Sequence, residues 1–304
     1  MENIIYLLID TLKYGIPYSL LALGIFISYR LLDFADLTTE GTFTLGGVVI
    51  AVCLYQGVDP FLGTILVVIS GFLAGVITGL LHTKLKIPSL LSGIITMTSL
   101  FSLNMVIMGL AINEPYSTFL NLSTFKNIFD SFLALFNVTN YNIILISTII
   151  VILVIILLYY FFGTEIGMSL RATGMNVKMA RAQGISTTIM MILGLGISNA
   201  LIALSGSLFA QISGSASNVM GVGVLVIGLA SIMIGEVLFG KKTFKNWLIS
   251  VSLGSVVYYF IVVIALGLGL PDYYLKLLYA ILIVVILVSP SFKQVGGKKN
   301  AKNS

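Results

Sequence analysis

Long apolar stretches separated by short polar gaps run through most of this 304-residue chain. A helix that crosses a bilayer needs roughly 20 apolar residues, or somewhat fewer where neighbouring helices shield it. About nine stretches, with a range of eight to ten, meet this requirement. We therefore predict an all-α polytopic membrane protein. The predicted spans cover about 12–31, 41–56, 61–83, 88–111, 141–163, 187–211, 221–240, 247–268 and 273–290.

Basic residues occupy alternate gaps between these stretches. Of the 16 Lys and Arg, 13 fall in gaps that can share one side of the membrane, which the positive-inside rule assigns to the cytoplasm. They are Arg30, Lys84, Lys86, Arg171, Lys178, Arg181, Lys241, Lys242, Lys245, Lys293, Lys298, Lys299 and Lys302. Alternation of the spans then places the N-terminus outside and the C-terminus inside.

Composition narrows the class of protein further. With 58% hydrophobic and 9% charged residues, the chain lies far from the average soluble protein, so we expect a multi-pass membrane protein. The abundance of Lys, Asn and Ile favours a bacterial host, and hence the plasma membrane of a bacterial cell. Residues 1–292 form one predicted transmembrane domain, and 293–304 form a basic cytoplasmic tail. The positive charge lies beside the spans, which favours retention of the loops over binding of nucleic acid. Cys53 is the single cysteine, which excludes an internal disulfide and a multi-thiolate metal site.

The stretch 30–47 is unusually polar for its position between two spans. Acidic residues, threonines and glycines are typical of backbone that unwinds where it lines a cavity, so Asp36, Thr38, Thr39 and Glu40 are candidates for a solute path or its gate. A second interpretation is a plain inner loop in which Asp36 or Thr38 caps the following helix and Arg30 pairs with a carboxylate.

A basic segment at 164–186 separates the fifth and sixth spans. Asn176 is a favourable N-cap and Gly184 a favourable residue after a helix end, so we predict a short helix on the inner side of the membrane. The segment is either a solvated linker or a docking element for a cytoplasmic subunit.

Two small-residue ridges predict close helix packing within one chain. Gly71, Gly75 and Gly79 form the first, and Gly206, Ala210 and Gly214 form the second.

Polar residues inside the spans are further candidates. A charged carboxylate such as that of Glu236 costs free energy when it lies within a membrane span. It either pairs with a cation such as Arg30, Lys241 or Arg171 at a gate, serves as a proton site, or extends to the headgroups. Uncharged candidates for the solute path are Asn104, Asn199, Ser205 and Gln211, although hydrogen bonding between helices accounts for such residues equally well.

The predicted outer loop, 112–140, offers Glu114, Lys126 and Asp130 for docking of a solute-delivering protein, or it rests on lipid as a lid. We predict no catalytic, cofactor-binding or metal site. The nearest imitation of a phosphate loop, residues 235–242, has Lys242 where a magnesium-binding Ser or Thr is required.

Three separated motifs resemble those of ABC-importer permeases of the branched-chain amino acid and ribose type. Residues 170–185 (LRATGMNVKMARAQGI) are similar to the cytoplasmic loop of these permeases. Residues 36–47 (DLTTEGTFTLGG) resemble a subgroup associated with amino acids, including tryptophan and tyrosine, and residues 228–240 (GLASIMIGEVLFG) give a third match. Met175 stands where an acidic residue is common in the family.

The resemblance implies a transport subunit that is not itself an enzyme. By that resemblance the short helix is the coupling helix, and the residues coupled to the ATPase are Arg171, Thr173, Gly174, Asn176, Lys178, Arg181 and Gly184. Two copies of the chain would enclose one path, with a cytoplasmic ATPase dimer that binds ATP and Mg and an extracellular solute-binding lipoprotein. The resemblance favours an amino acid as the small solute, and its subgroup includes permeases associated with aromatic amino acids. Alternatives are an ABC importer for a sugar or nucleoside, and an ion-driven secondary transporter.

Overall fold

The computed structural model describes residues 2–123 and 142–268, with side chains from residue 7, and isolated positions at 128, 271, 274, 277 and 281. Ten α-helices and two short strands make up the described chain. In order they are α1 Glu2–Ile25, α2 Thr38–Tyr55, α3 Pro60–Thr83, α4 Ser89–Ala111, β1 Phe119–Asn121, α5 Asn142–Gly163, α6 Glu165–Met175, α7 Val177–Ala182, α8 Thr187–Ser213, β2 Ser215–Ser217, α9 Val224–Phe239 and α10 Phe244–Gly267. The strands β1 and β2 pair antiparallel.

Seven of the described helices are long and apolar enough to cross a membrane: α1 with its extension to Leu31, then α2, α3, α4, α5, α8 and α10. The helix α9 is apolar but has 16 residues. Each of the first eight predicted spans therefore corresponds to a helix, and the all-helical polytopic class is confirmed. The ninth predicted span and the basic tail lie outside the described residues, so the count of nine stays a prediction.

The end of α1 is not a regular α-helix. Residues Phe26–Leu31 form a π-helix, in which the N–H of Leu32 donates to the carbonyl of Ile27, five positions earlier. Such wide turns are rare and cluster at functional positions. The basic residue of this stretch, Arg30, is consequently rotated away from the direction that an α-helical end would give it.

Glycines bring α3, α8 and α2 into direct backbone contact. A Cβ atom added to Gly71 would lie 2.5 Å from the Ala203 side chain, and one added to Gly75 would overlap the carbonyl of Leu195. Gly206 lies equally close to the backbone of Phe43 on α2. The predicted small-residue ridges are thus confirmed as contacts within one chain, and α8 becomes the central helix of the bundle.

The basic gaps gather at one end of the bundle, which we call the basic end; it comprises residues 30–37, 84–88, 163–186 and 240–245. Connectivity places these gaps together, and contacts confirm it. Arg30 Nη2 lies 2.7 Å from Glu236 Oε2, and the Arg171 guanidinium lies 5.0 Å from the ring centroid of Phe244. The opposite end carries β1, β2 and the α2–α3 connection.

Candidate functional site

The connection between α1 and α2 runs inside the bundle. Asp36 is buried, its Oδ1 accepts the N–H of Thr38 at 2.9 Å, and its Oδ2 accepts from Asn199 Nδ2 at 2.7 Å. Asn199 stands twelve positions after the start of α8 at Thr187, which at 1.5 Å per residue is about 18 Å along that helix. The helix α2 therefore begins among the other helices.

This geometry corrects the predicted extent of unwound backbone. The sequence favoured irregular chain over 30–47, whereas the structure confines it to residues 32–37, with α2 continuous from Thr38. The first turn of α2 is stabilised by Asp36, as the capping interpretation expects, and its Thr38 bonds to a threonine of α3. Thr38 Oγ1 lies 2.8 Å from Thr78 Oγ1, which donates to Thr96 Oγ1 at 3.0 Å, so hydroxyls join α2, α3 and α4.

A second irregular segment enters the bundle from the opposite end. After β2, residues 218–223 reach the first two turns of α2, where Thr44 Oγ1 accepts the N–H of Gly221 at 3.1 Å and Glu40 Oε1 accepts the N–H of Gly223 at 2.9 Å. Gly221 packs so closely that a Cβ atom would overlap the Glu40 carbonyl. The helix α9 is short because it begins here, with the Glu40 carboxylate at its electropositive N-terminus.

A cavity of about 380 Å³ lies where these two irregular segments meet α4. This volume is within the range of small-molecule sites, roughly 300–1,000 Å³. Its walls combine one carboxylate, two amides and two hydroxyls with apolar side chains that include an aromatic ring. They comprise Glu40, Gly41, Thr44, Met97, Thr98, Phe101, Asn104, Asn218 and Val222.

The amide groups of this cavity have unused hydrogen-bonding capacity. Asn104 Nδ2 donates to the Gly41 carbonyl at 3.3 Å, but Asn104 Oδ1 has no partner among the described residues. Both polar side-chain atoms of Asn218 are also buried without a partner in the described part of the chain. Because an unpaired buried polar group costs about 1–3 kcal/mol, these atoms are suited to a ligand or to water. The cavity can thus bind a small polar molecule that also has an apolar part.

The structure separates the predicted path residues into three groups. Glu40 and Asn104 line the cavity, and Asp36, Thr38, Thr39 and Asn199 form the buried cluster behind it. The other three lie elsewhere: Ser205 donates to the Pro17 carbonyl, Gln211 accepts the N–H of Ile128, and Glu236 is at the basic end.

Sequence reasoning missed Phe101 and Asn218. The run of small residues at 213–223 was the available signal for Asn218, because its serines and glycines resemble the composition of 30–47. Phe101 carried no signal, since an aromatic residue on an apolar helix is most often a packing or lipid-facing residue.

Glu236 is held by two donors at the basic end. Its Oε2 accepts from Arg30 Nη2 at 2.7 Å and its Oε1 accepts from Trp247 Nε1 at 3.0 Å. Among the predicted cations, Arg30 is therefore the partner. The aromatic rings of Phe26 and Trp247 pack edge to face at 4.7 Å, which joins α1 and α10 beside this ion pair.

The predicted short helix is present as α7. Asn176 Oδ1 accepts the N–H of Met179 at 3.1 Å, and Gly184 has a φ of +81° that glycine adopts without strain. The sequence did not predict α6, the 11-residue helix that precedes it. The exposed apolar residues Met175 and Met179 lie on this pair of helices.

The predicted coupling residues divide into exposed and packed sets. Lys178, Arg181, Asn176 and Gly184 are exposed. In contrast, Thr173 is buried, Gly174 abuts the backbone of Leu31 and Leu32, and Arg171 stacks on Phe244. The packed set connects α6 to the end of α1 and the start of α10.

At the opposite end, Glu114 is exposed directly after α4, where the predicted docking loop begins. Lys126 and Asp130 lie outside the described residues.

A bundle of apolar helices in which two irregular segments meet at a largely apolar cavity with a few polar groups is typical of a membrane transport protein. The chain belongs to the family described as branched-chain amino acid transport system, permease component, whose model matches residues 7–287. It is thus a transport subunit of the ABC type, a multi-pass protein of the bacterial membrane.

Individual relatives agree with this family. A tyrosine transport system permease protein of Clostridioides difficile (strain R20291) is 38% identical over 295 residues, covering 97% of this chain and 95% of the relative. The uncharacterized protein RP368 of Rickettsia prowazekii (strain Madrid E) is 32% identical over 290 residues, covering 93% and 97%. Among solved structures, PsaBC from Streptococcus pneumoniae in complex with Fab matches with a TM-score of 0.52 and 18% identity, over 94% of this chain and 91% of that one, which supports the fold.

Proposed function

We propose that the chain forms the membrane path of an ATP-driven importer for amino acids, with aromatic amino acids as the favoured cargo. The observation that carries this proposal is the central cavity, in which Glu40 faces the same space as Phe101 and Asn104. A carboxylate suits the ammonium group of an amino acid, the unpaired amide of Asn104 suits its polar atoms, and the Phe101 ring suits an aromatic side chain. The 38% identity to a tyrosine permease supports the same class of cargo.

In this proposal, two copies of the chain assemble with a cytoplasmic ATPase dimer and an extracellular binding protein, and the basic end faces the cytoplasm. ATP and Mg are bound by the ATPase. The exposed residues of the α6–α7 pair, namely Met175, Lys178 and Met179, form the surface that contacts the ATPase.

The packed residues of α6 connect α7 to the cavity, so that a displacement of α7 by the ATPase can reach it. Gly174 touches Leu31 and Leu32, which begin the irregular connection to α2, and α2 carries Glu40 at the cavity. Glu40 in turn accepts the N–H of Gly223 at the start of α9. A displacement of α7 would therefore reach both α2 and α9. For ATP to drive transport, the ATPase must bind the two states of this chain with different affinities.

One observation favours the secondary-transporter alternative, and another counts against it. The structure places two further carboxylates in the bundle, because Asp36 is buried and Glu40 lies at the central cavity. Buried carboxylates suit an ion-driven carrier. Membership of the ABC permease family outweighs this feature.

Uptake by proteoliposomes tests the proposal directly. The chain would be reconstituted with candidate ATPase and binding-protein subunits from the same organism, and uptake of labelled tyrosine measured with and without ATP, with a sugar and a nucleoside as competitors. We expect ATP-dependent uptake that Phe101→Ala reduces by about tenfold, the effect of about 1.4 kcal/mol. Phe61→Ala is the matched control, because Phe61 is exposed on α3 away from the cavity. Uptake that ignores ATP, or equal effects of both variants, would contradict the proposal.

A further inference from the structure

A second cavity, of about 410 Å³, lies at the basic end between the α3–α4 turn and the connection from α7 to α8. Lys86 enters it from the turn, Arg181 from α7, and Thr188 from the first turn of α8. It is separate from the central cavity, with which it shares no lining residue. Its lining contains no acidic side chain.

The two cations are positioned by local structure. Lys86 has a φ of +57°, a conformation that non-glycine residues adopt at some cost, so a specific turn holds it at the cavity. Arg181 Nε donates to Thr187 Oγ1 at 2.8 Å, which fixes the guanidinium beside the start of α8. Neither cation has an acidic partner within 4 Å in the described part of the chain. Both charges therefore remain available to an anion.

Backbone N–H groups reinforce this positive character. The helices α4 and α8 begin after Pro88 and Ser186, and neither N-terminus has a side-chain cap. Pro88 and Thr187 line the cavity, so two electropositive helix ends converge on it. His82 Nδ1 lies 2.8 Å from the Ile87 carbonyl, which can only accept, so this nitrogen carries the hydrogen and anchors the turn.

Apolar side chains beside the cavity indicate what carries the anion. Leu85, Leu90 and Ile189 are at least half exposed and each adjoins the lining segments in sequence. In a bilayer these residues face acyl chains at the level where headgroups begin. Basic pockets between transmembrane helices on the cytoplasmic side are suited to anionic phospholipid headgroups.

We infer that this cavity binds the phosphate group of an anionic phospholipid. The phosphate lies between Lys86 and Arg181, and the acyl chains lie along Leu85, Leu90 and Ile189. One lipid then connects the α3–α4 turn to α7. Its influence on coupling rests on the proposed function of α7, whereas the binding itself does not.

Native mass spectrometry of the purified chain tests the binding without transport. The chain would be titrated with phosphatidylglycerol and, separately, phosphatidylcholine of the same acyl chains. At about 1 kcal/mol per basic residue, removing both cations in Lys86→Gln/Arg181→Gln should weaken phosphatidylglycerol binding by about tenfold or more. The control Lys84→Gln/Lys178→Gln removes equal charge from the same two segments at exposed positions outside the lining and should leave binding within about twofold.

Each outcome of these titrations either supports or overturns the lipid site. Equal weakening in both double variants would overturn the site, because it would reduce the effect to general surface charge. If inorganic phosphate displaces the lipid at millimolar concentration, the cavity is a site for soluble phosphate, and the proposal of a lipid ligand is overturned. If the double variant does not accumulate, Thr188→Asp places a negative charge in the lining and should produce the same loss; undiminished binding by that variant would also overturn the inference.

Discussion

The ion pair between Arg30 and Glu236 joins residues 206 positions apart at the basic end, and its removal gives the sharpest test of how this end is held together. The replacement Glu236→Gln keeps an oxygen for Trp247 Nε1 and removes the charge that Arg30 contacts. Assembly should survive, because the shape of the side chain is retained. We expect transport to be impaired, because α1 and α9 lose their charged connection.

The magnitude follows from the exposure of the two partners. A hydrogen bond between charged groups contributes about 1.5–3 kcal/mol when shielded. The Glu236 side chain is 10% exposed, whereas that of Arg30 is 33% exposed and can regain water after the change. The lower part of this range therefore applies, and Glu236→Gln should reduce the free energy of unfolding by about 1–2 kcal/mol.

A double-mutant cycle isolates the pair. Unfolding free energies would be measured in mixed micelles for Arg30→Gln, Glu236→Gln and their combination, and we expect a coupling energy of about 1 kcal/mol. Glu165→Gln is the control, since Glu165 is an exposed carboxylate at the same end. A coupling energy below about 0.3 kcal/mol would show that the two side chains do not stabilise one another. Normal uptake by Glu236→Gln would separately dismiss a working role in transport.

Three further substitutions test the packing and the central cluster. Gly75→Ala places a Cβ against the backbone of α8 and should destabilise the chain by at least 1–3 kcal/mol in the same unfolding assay, whereas Gly163→Ala, with open space around it, should change stability by less than about 0.5 kcal/mol. Asp36→Ala leaves the N–H of Thr38 and one N–H of the Asn199 amide without an acceptor, while Asn199 keeps its bond to the Leu195 carbonyl, and should cost about 2–4 kcal/mol; a smaller loss than that of a surface substitution would refute the capping role. Gly221→Ala should lower uptake more than protein yield, because the added atom presses on Glu40 at the cavity; equal losses would indicate misfolding alone.

The sequence predicted those features that depend on local pattern. The length of the apolar stretches predicted the helices of the first eight spans. The basic gaps lie at one end because alternate connections in a bundle of spanning helices lie on the same side. The Asn176 cap and the Gly71–Gly79 ridge were also readable, since a cap and a small-residue face are each set by a few neighbouring residues.

The features that escaped prediction depend on contacts between distant parts of the chain. Residues 218–223 enter the bundle because Glu40 and Thr44 accept their N–H groups across more than 170 positions, and no local rule reveals such partners. The partner of Glu236 was one of three candidates for the same reason. The helix α6 escaped because its polar composition resembled a linker, whereas Gly167, Leu170 and Thr173 pack it against the bundle.

The π-helical end of α1 has a consequence for how Arg30 moves. One residue more or less in a wide turn shifts everything after it by one position, which is about 100° of rotation and 1.5 Å of rise. Conversion of Phe26–Leu31 to α-helical pairing would therefore swing Arg30 away from Glu236 while the preceding turns of α1 stay fixed against α10. A single change of hydrogen-bond register at this point would act as a latch at the basic end.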